Sequence, residues 1–107
     1  MQTQIIEKTI KKQIEMTPKL NALDCDRLLS FGVAGLNEEA GEVSGLVCRE
    51  IYKQQSQSEQ DWMGELGDVL WYLTCVLISK GLTFDDVFKY NVDKLSKRYG
   101  FAEEDIR

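Results

Sequence analysis

A single proline, at position 18, and eight glycines with no hairpin pair such as Asn-Gly or Asp-Gly leave this chain of 107 residues almost without the punctuation that an all-β protein needs. Helices are the default. Ile5, Ile6, Thr9, Ile10, Gln13 and Ile14 form a short amphipathic stretch that breaks before Thr17-Pro18, where Thr can cap and Pro can take the first helical position. From about Asp24 to Tyr52, Cys25, Leu29, Val33, Leu36, Ala40, Val43 and Val47 recur at spacings of three and four, which predicts a long helix with a buried stripe. Gln54 to Ser58 is a polar linker, and Ser58 with Asp61 three residues on reads as the opening cap of a second long helix that runs to Lys80 and ends at Gly81. Thr83 with Asp86 repeats that cap, and a third helix carries Phe84, Val87, Phe88, Val92 and Leu95 to Tyr99 before Gly100. The expectation is an all-α antiparallel bundle of three to four main helices in one domain spanning 1–107, with a poorly ordered tail over 101–107. A chain this small covers its own core incompletely, so oligomerisation is expected to complete the bundle.

Charge and residue content remove several functions. The formal net charge of −5 repels polyanions, so nucleic-acid binding is disfavoured. Histidine is absent, which excludes a Ser-His-Asp triad, a Cys-His pair and a histidine-bearing zinc or di-iron site. Cys25, Cys48 and Cys75 are odd in number with no CxxC spacing and fit reduced thiols. The N-terminus interleaves charge with its apolar residues, and the longest apolar stretch, Val69 to Ile78, is half the ~20 residues of a membrane span. A cytoplasmic protein without membrane contact is expected.

The acids stand in unexpected places. At ~100° per residue, Leu28, Glu39, Val43 and Leu46 share one sector of the first long helix, with Glu42 just outside it and Glu38 one turn from Glu42. On the second, Asp61, Glu65, Asp68 and Tyr72 align beside Leu66, Val69, Leu73 and Val76, on a helix apolar nearly all round, so Glu65 and Asp68 are expected to be partly buried. Burying ionised carboxylates costs several kcal/mol apiece unless something positive compensates. Either the acids lie on a solvated face and pair with lysines of other helices, or two i,i+3 pairs from facing helices surround one or more hard divalent cations. On the last helix Asn91, Lys94 and Arg98 form a polar stripe that suits phosphates, or, for Lys97 and Arg98, simply complements the helix dipole.

Glu38-Glu39-Ala40-Gly41-Glu42, followed after a gap by Glu65-Leu66-Gly67-Asp68, resembles the EExxE…ExxD signature of the all-α nucleoside triphosphate pyrophosphohydrolases, in particular the MazG-like branch. Gly35-Leu36, Val69 to Leu73 and Asn91 to Tyr99 agree with it, and the resemblance covers about residues 28–100. It implies hydrolysis of a (deoxy)nucleoside triphosphate to the monophosphate and pyrophosphate, with Mg²⁺, or Mn²⁺ in its stead, held by Glu39, Glu42, Glu65 and Asp68. Glu38 or Glu39 would accept the proton of the attacking water. Lys94, Arg98 and Asn91 would contact phosphates, and Tyr99 and Tyr72 would place the substrate. Relatives assemble as homodimers or tetramers, dimers of dimers with the pocket where subunits meet, and a single motif set fits a short stand-alone member that cleans nucleotide pools. Trp62, Trp71, Tyr72 and Phe31 are aromatic enough to stack on a base, yet at helical spacing such residues are more often core. Two alternatives remain open at this point: a non-catalytic helical interaction or antitoxin-like dimer, and a phosphoribosyl-ATP pyrophosphohydrolase of the same fold.

Overall fold

The computed structural model describes residues 4–100. Its helices are α1 (Gln4–Glu15), α2 (Pro18–Asn21), α3 (Cys25–Val47), α4 (Glu59–Lys80) and α5 (Phe84–Tyr99), with a π-helical turn at Cys48–Tyr52 extending α3. No strand occurs among the described residues, and the expected tail over 101–107 lies outside them.

Local chemistry sets the ends. Asp24 opens α3 by accepting a hydrogen bond from the Arg27 N–H at 2.8 Å. Ser58 and Asp61 form a complete capping box at α4, each bond 3.0 Å, and Thr83 and Asp86 form another at α5. Gly81 closes α4 in the left-handed region at φ 67°, where a glycine carries no steric penalty, and the Leu82 N–H reaches the Leu77 carbonyl at 2.9 Å. Thr17 behaves differently from the cap expected of it. Its hydroxyl donates back to the Gln13 carbonyl at 2.8 Å, so it helps to end α1 and makes no side-chain cap for α2.

α3 and α4 pack antiparallel as the principal hairpin, α1 lies against α4, and α5 leaves α4 at a bend of 94°. Ile10 and Ile14 of α1, Leu28 of α3 and Cys75 of α4 make the core, joined by half-buried Phe31, Trp71 and Ile78. α1 is tied down by polar contacts as well: the Trp71 Nε1–H donates to Gln13 Oε1 at 2.9 Å, and the Phe84 N–H at the start of α5 donates to Glu7 Oε1 at 2.6 Å.

The buried face of α3 is Leu28, Gly32, Gly35 and Leu46, whereas Cys25, Val33, Ala40 and Val47 of the predicted stripe are exposed. α4 needs to approach closely, and the two glycines permit it: a Cβ on Gly32 would lie 3.0 Å from Val76 Cγ2, and one on Gly35 would overlap the Tyr72 ring. The opposite stripe of α3 is left bare, as are Met63, Leu66 and Leu70 of α4 and Val87, Phe88 and Tyr90 of α5. The radius of gyration is 16.6 Å, against about 13 Å for a compact chain of this length. The surface of 8038 Å² likewise exceeds the roughly 6,100 Å² of a compact monomer of this mass. One chain is an open arrangement of helices around a small core.

Candidate functional site

The α3–α4 hairpin has a turn-by-turn register. Gly32 faces Cys75 and Val76, Gly35 faces Tyr72, and Glu39 faces Glu65 and Asp68. Each step of one turn toward the C-terminus of α3 moves about one turn toward the N-terminus of α4. The apolar and aromatic part of the hairpin therefore holds the acidic part in place: Phe31, Trp71 and Tyr72 contact one another at centroid distances of 5.3 to 6.3 Å, one turn from the acids. These aromatics fill the hairpin seam, and Phe31 and Trp71 pack on the core, which accounts for their spacing. Trp62 is engaged elsewhere, donating its indole N–H to Glu50 Oε1 at 2.6 Å.

Carboxylate oxygens of Glu39, Glu65 and Asp68 lie within 4.8 Å of one another. Glu39 and Glu65 are half-buried, but Asp68 is exposed, contrary to the expected burial, because no further helix among the described residues covers that side of α4. Partial burial, then Asp68, Glu65, Glu38 and Glu42 in that order, raise the Glu39 carboxyl above its ordinary value. Every charged neighbour in that order is another acid, so the alternative of a cluster neutralised by lysines of other helices finds no support at Glu39. Glu42 adds to this field but stands outside the trio. Asp61, aligned with Glu65 in sequence, is committed to the Ser58 cap, which holds its carboxyl below the ordinary range. Burial, followed by Glu39, Glu38 and Asp68, pushes the Tyr72 phenol up, so it stays a hydrogen-bond donor beside the acids.

This donor set suits a hard divalent cation. Neighbouring ligands of an octahedral ion with bonds of about 2.1 Å stand about 3.0 Å apart, so the trio closes on one with side-chain shifts of up to about 1 Å each. Oxygen-only donors without histidine or thiolate match that ion class.

The basic residues are elsewhere. Asn91 and Lys94 line an open cavity of about 460 Å³ on α5 with Leu82, Asp86, Val87 and Tyr90, and none of the acidic trio borders it. Lys89 and Lys97 are paired within α5 to Asp85 and Asp93 at 3.0 and 3.1 Å, while Lys94 has no ion pair among the described residues. Arg98 lies 6.0 Å from the Tyr99 ring centroid on the same helix. The predicted residues thus fall into two groups, the acids of the hairpin and the Asn91/Lys94 stripe of α5. Sequence reading passed over Arg49, which the π turn brings back over Gly45. Its signal was its place as one of two cations, with Lys53, between the acidic motifs of α3 and α4.

The fold and the site together define an all-α protein whose central hairpin clusters three carboxylates that could hold a metal ion. The profile of the MazG nucleotide pyrophosphohydrolase domain matches residues 31–100, about two thirds of the chain. The chain belongs to the MazG nucleotide pyrophosphohydrolase family. It is 31% identical over 81 residues to the Gene 37 protein of Mycobacterium phage L5, covering 70% of this chain and 71% of that one. No solved structure matches it. Among the described residues no single helix is long and apolar enough to cross a membrane.

Proposed function

We propose that the protein hydrolyses (deoxy)nucleoside triphosphates to the monophosphate and pyrophosphate, with Mg²⁺, or Mn²⁺ in its place, held by Glu39, Glu65 and Asp68 and completed by Glu42. The observation that carries this reading is the carboxylate trio, whose oxygens lie within 4.8 Å of one another around a Glu39 whose charged neighbours are all acids. When bound, the cation supplies neutralisation of phosphate charge and acidification of water, so no histidine base is required. Glu38, exposed on α3 beside Glu39, accepts the proton of the attacking water. Tyr72 holds its phenolic proton and donates it as a hydrogen bond toward the acids or the substrate.

The phosphate contacts of Lys94, Asn91 and Arg98, and the placing of substrate by Tyr99, come from α5 of a second copy. Two features support this. The acids do not border the cavity that Asn91 and Lys94 line. The surface also exceeds that of a compact monomer by about 1,900 Å², more than the ~800 Å² that each partner buries in a standard interface. A homodimer or a dimer of dimers, working on the nucleotide pool of the cytoplasm, is the corresponding assembly.

The test is pyrophosphate release from a panel of canonical and modified (d)NTPs and phosphoribosyl-ATP in Mg²⁺, with Glu39→Gln as control, alongside sedimentation of the intact chain. Release by the wild type at least a hundredfold above the control is the expected result. Equal rates on every substrate would reject catalysis and leave a helical interaction dimer.

A further inference from the structure

α3 does not stop at Val47. It continues through a π-helical turn, Cys48–Tyr52, in which the Lys53 N–H bonds to the Cys48 carbonyl at 3.1 Å. The chain then reverses through Gln54 at φ 53°, and the Gln55 N–H bonds to the Arg49 carbonyl at 2.8 Å. A π turn shifts the register of the residues within it and often marks a functional position. Here it sends the half-buried Arg49 side chain back along α3, with its terminal nitrogens 3.4 and 3.9 Å from where a Cβ on Gly45 would be.

The guanidinium is held by one nitrogen only. Arg49 Nε–H donates to Gln57 Oε1 at 3.2 Å, and the Gln57 amide is itself fixed by donating to the Gln55 and Ser56 carbonyls at 3.1 and 3.2 Å. Neighbouring acids are otherwise occupied: Glu50 accepts from Trp62, and Asp61 feels the Arg49 charge but bonds the Ser58 N–H. The two terminal NH₂ groups have no hydrogen-bond acceptor among the described residues. An arginine pinned at Nε with its fork open is arranged for a bidentate oxyanion.

Its place on the hairpin gives the oxyanion an identity. Gly45 lies six residues past Glu39, about 9 Å along the axis of α3, which is within the length of a nucleotide. Between Arg27 in the first turn of α3 and Lys80 at the end of α4, the only cations of the hairpin are Arg49 and Lys53. We propose that Arg49 is a phosphate-binding residue of this site, receiving oxygens of the polyphosphate tail on its two terminal NH₂ groups, with Gln57 as its positioning residue. The inference rests on the nucleotide-hydrolysing reading above.

Inorganic tripolyphosphate titrated into the intact chain by calorimetry in Mg²⁺ tests it without hydrolysis of a nucleotide. Arg49→Gln should weaken binding at least tenfold and Arg49→Lys about threefold or more, as a charge without a fork would. Gln57→Ala should weaken it less than Arg49→Gln and add nothing in the double variant, a non-additivity that a merely structural role would not give. Should Arg49→Gln fail to fold, Arg49→Lys carries the comparison. Wild-type affinity in a folded Arg49 variant, or no tripolyphosphate binding by the wild type, would overturn the assignment. Pyrophosphate release by the wild type together with an unaffected Arg49→Gln would sink Arg49 alone. Arg49-dependent tripolyphosphate binding without hydrolysis of any nucleotide would sink the catalytic reading alone.

Discussion

Gly35→Ala probes the contact that holds the acids in register. A Cβ at Gly35 overlaps Cε1 and Cδ1 of Tyr72 and lies 2.6 Å from its Cζ, so the ring cannot stay where it is. Leaving means losing the contacts with Phe31 and Trp71, at centroid distances of 5.4 and 5.3 Å, each worth about 0.5–1.5 kcal/mol. The half-buried ring forfeits roughly 1 kcal/mol more of apolar burial. Alanine recovers about 1 kcal/mol of helix propensity. The net loss is about 1–3 kcal/mol, a fall in Tm of roughly 4–15 °C for a chain of this size. Thermal melting followed by circular dichroism, at one chain concentration and without metal, measures it. Gly41→Ala is the comparison, because its added Cβ meets nothing within 4 Å, and it should melt at or slightly above the wild type. A Gly35→Ala protein as stable as the wild type would refute the close approach of α3 to Tyr72.

Further outcomes follow from the ionisable groups and the caps. The raised Glu39 carboxyl makes its ionisation unfavourable to folding, so its favourable contribution is present below the ordinary value of 4.5 and is lost as pH rises through the raised value; Glu39→Gln should therefore gain Tm on the metal-free wild type as pH climbs through that window, and a constant difference would contradict the shift. Asp61 and Asp86 act in the opposite sense, because their lowered carboxyls stabilise above 3.8 and lose that effect as acid protonates them, so Asp61→Asn should flatten the acid limb of the melting profile. Cys75 is fully buried with its thiol pushed up to about 11, so a disulfide reagent should titrate Cys25 and Cys48 quickly and Cys75 only on unfolding; three fast thiols would contradict the packing of the core. Thr83→Ala removes the acceptor for the Asp86 N–H and should cost about 1 kcal/mol, read as faster amide exchange in the first turn of α5.

Helix ends were the most legible part of the sequence, since Ser58-Asp61, Thr83-Asp86, Gly81 and Gly100 carry their capping chemistry within four residues. The face of α3 was half legible. A search for apolar residues picks out Val33 and Val47, but α4 packs where α3 is smooth, and Gly32 and Gly35 count as nothing in such a search. The sector of Leu28, Glu39 and Leu46 held the buried side, and its single acid was the clue. Asp68 proved exposed because burial on α4 depends on which elements pack against it, which a local pattern does not contain. Arg49 was missed because the π turn changes the helical phase after Val47, and the Thr17 hydroxyl turned back to α1 because Gln13 offers a carbonyl at 2.8 Å. Pairing Glu39 with Glu65 and Asp68 was legible from spacing, but the separation of Lys94 and Asn91 from them needed the 94° departure of α5 from α4.

The central claim is that Glu39, Glu65 and Asp68 are brought together to share a divalent cation. Its most direct measurement is the Tm of the metal-free chain during titration with Mg²⁺, for the wild type, Glu39→Gln and Asp68→Asn. The wild type should be stabilised by about 2.7 kcal/mol, roughly 10 °C, once the ion reaches 100 times its Kd. The two variants should melt at or above the metal-free wild type and fail to respond. A wild type indifferent to Mg²⁺, or variants that respond as it does, would contradict the claim.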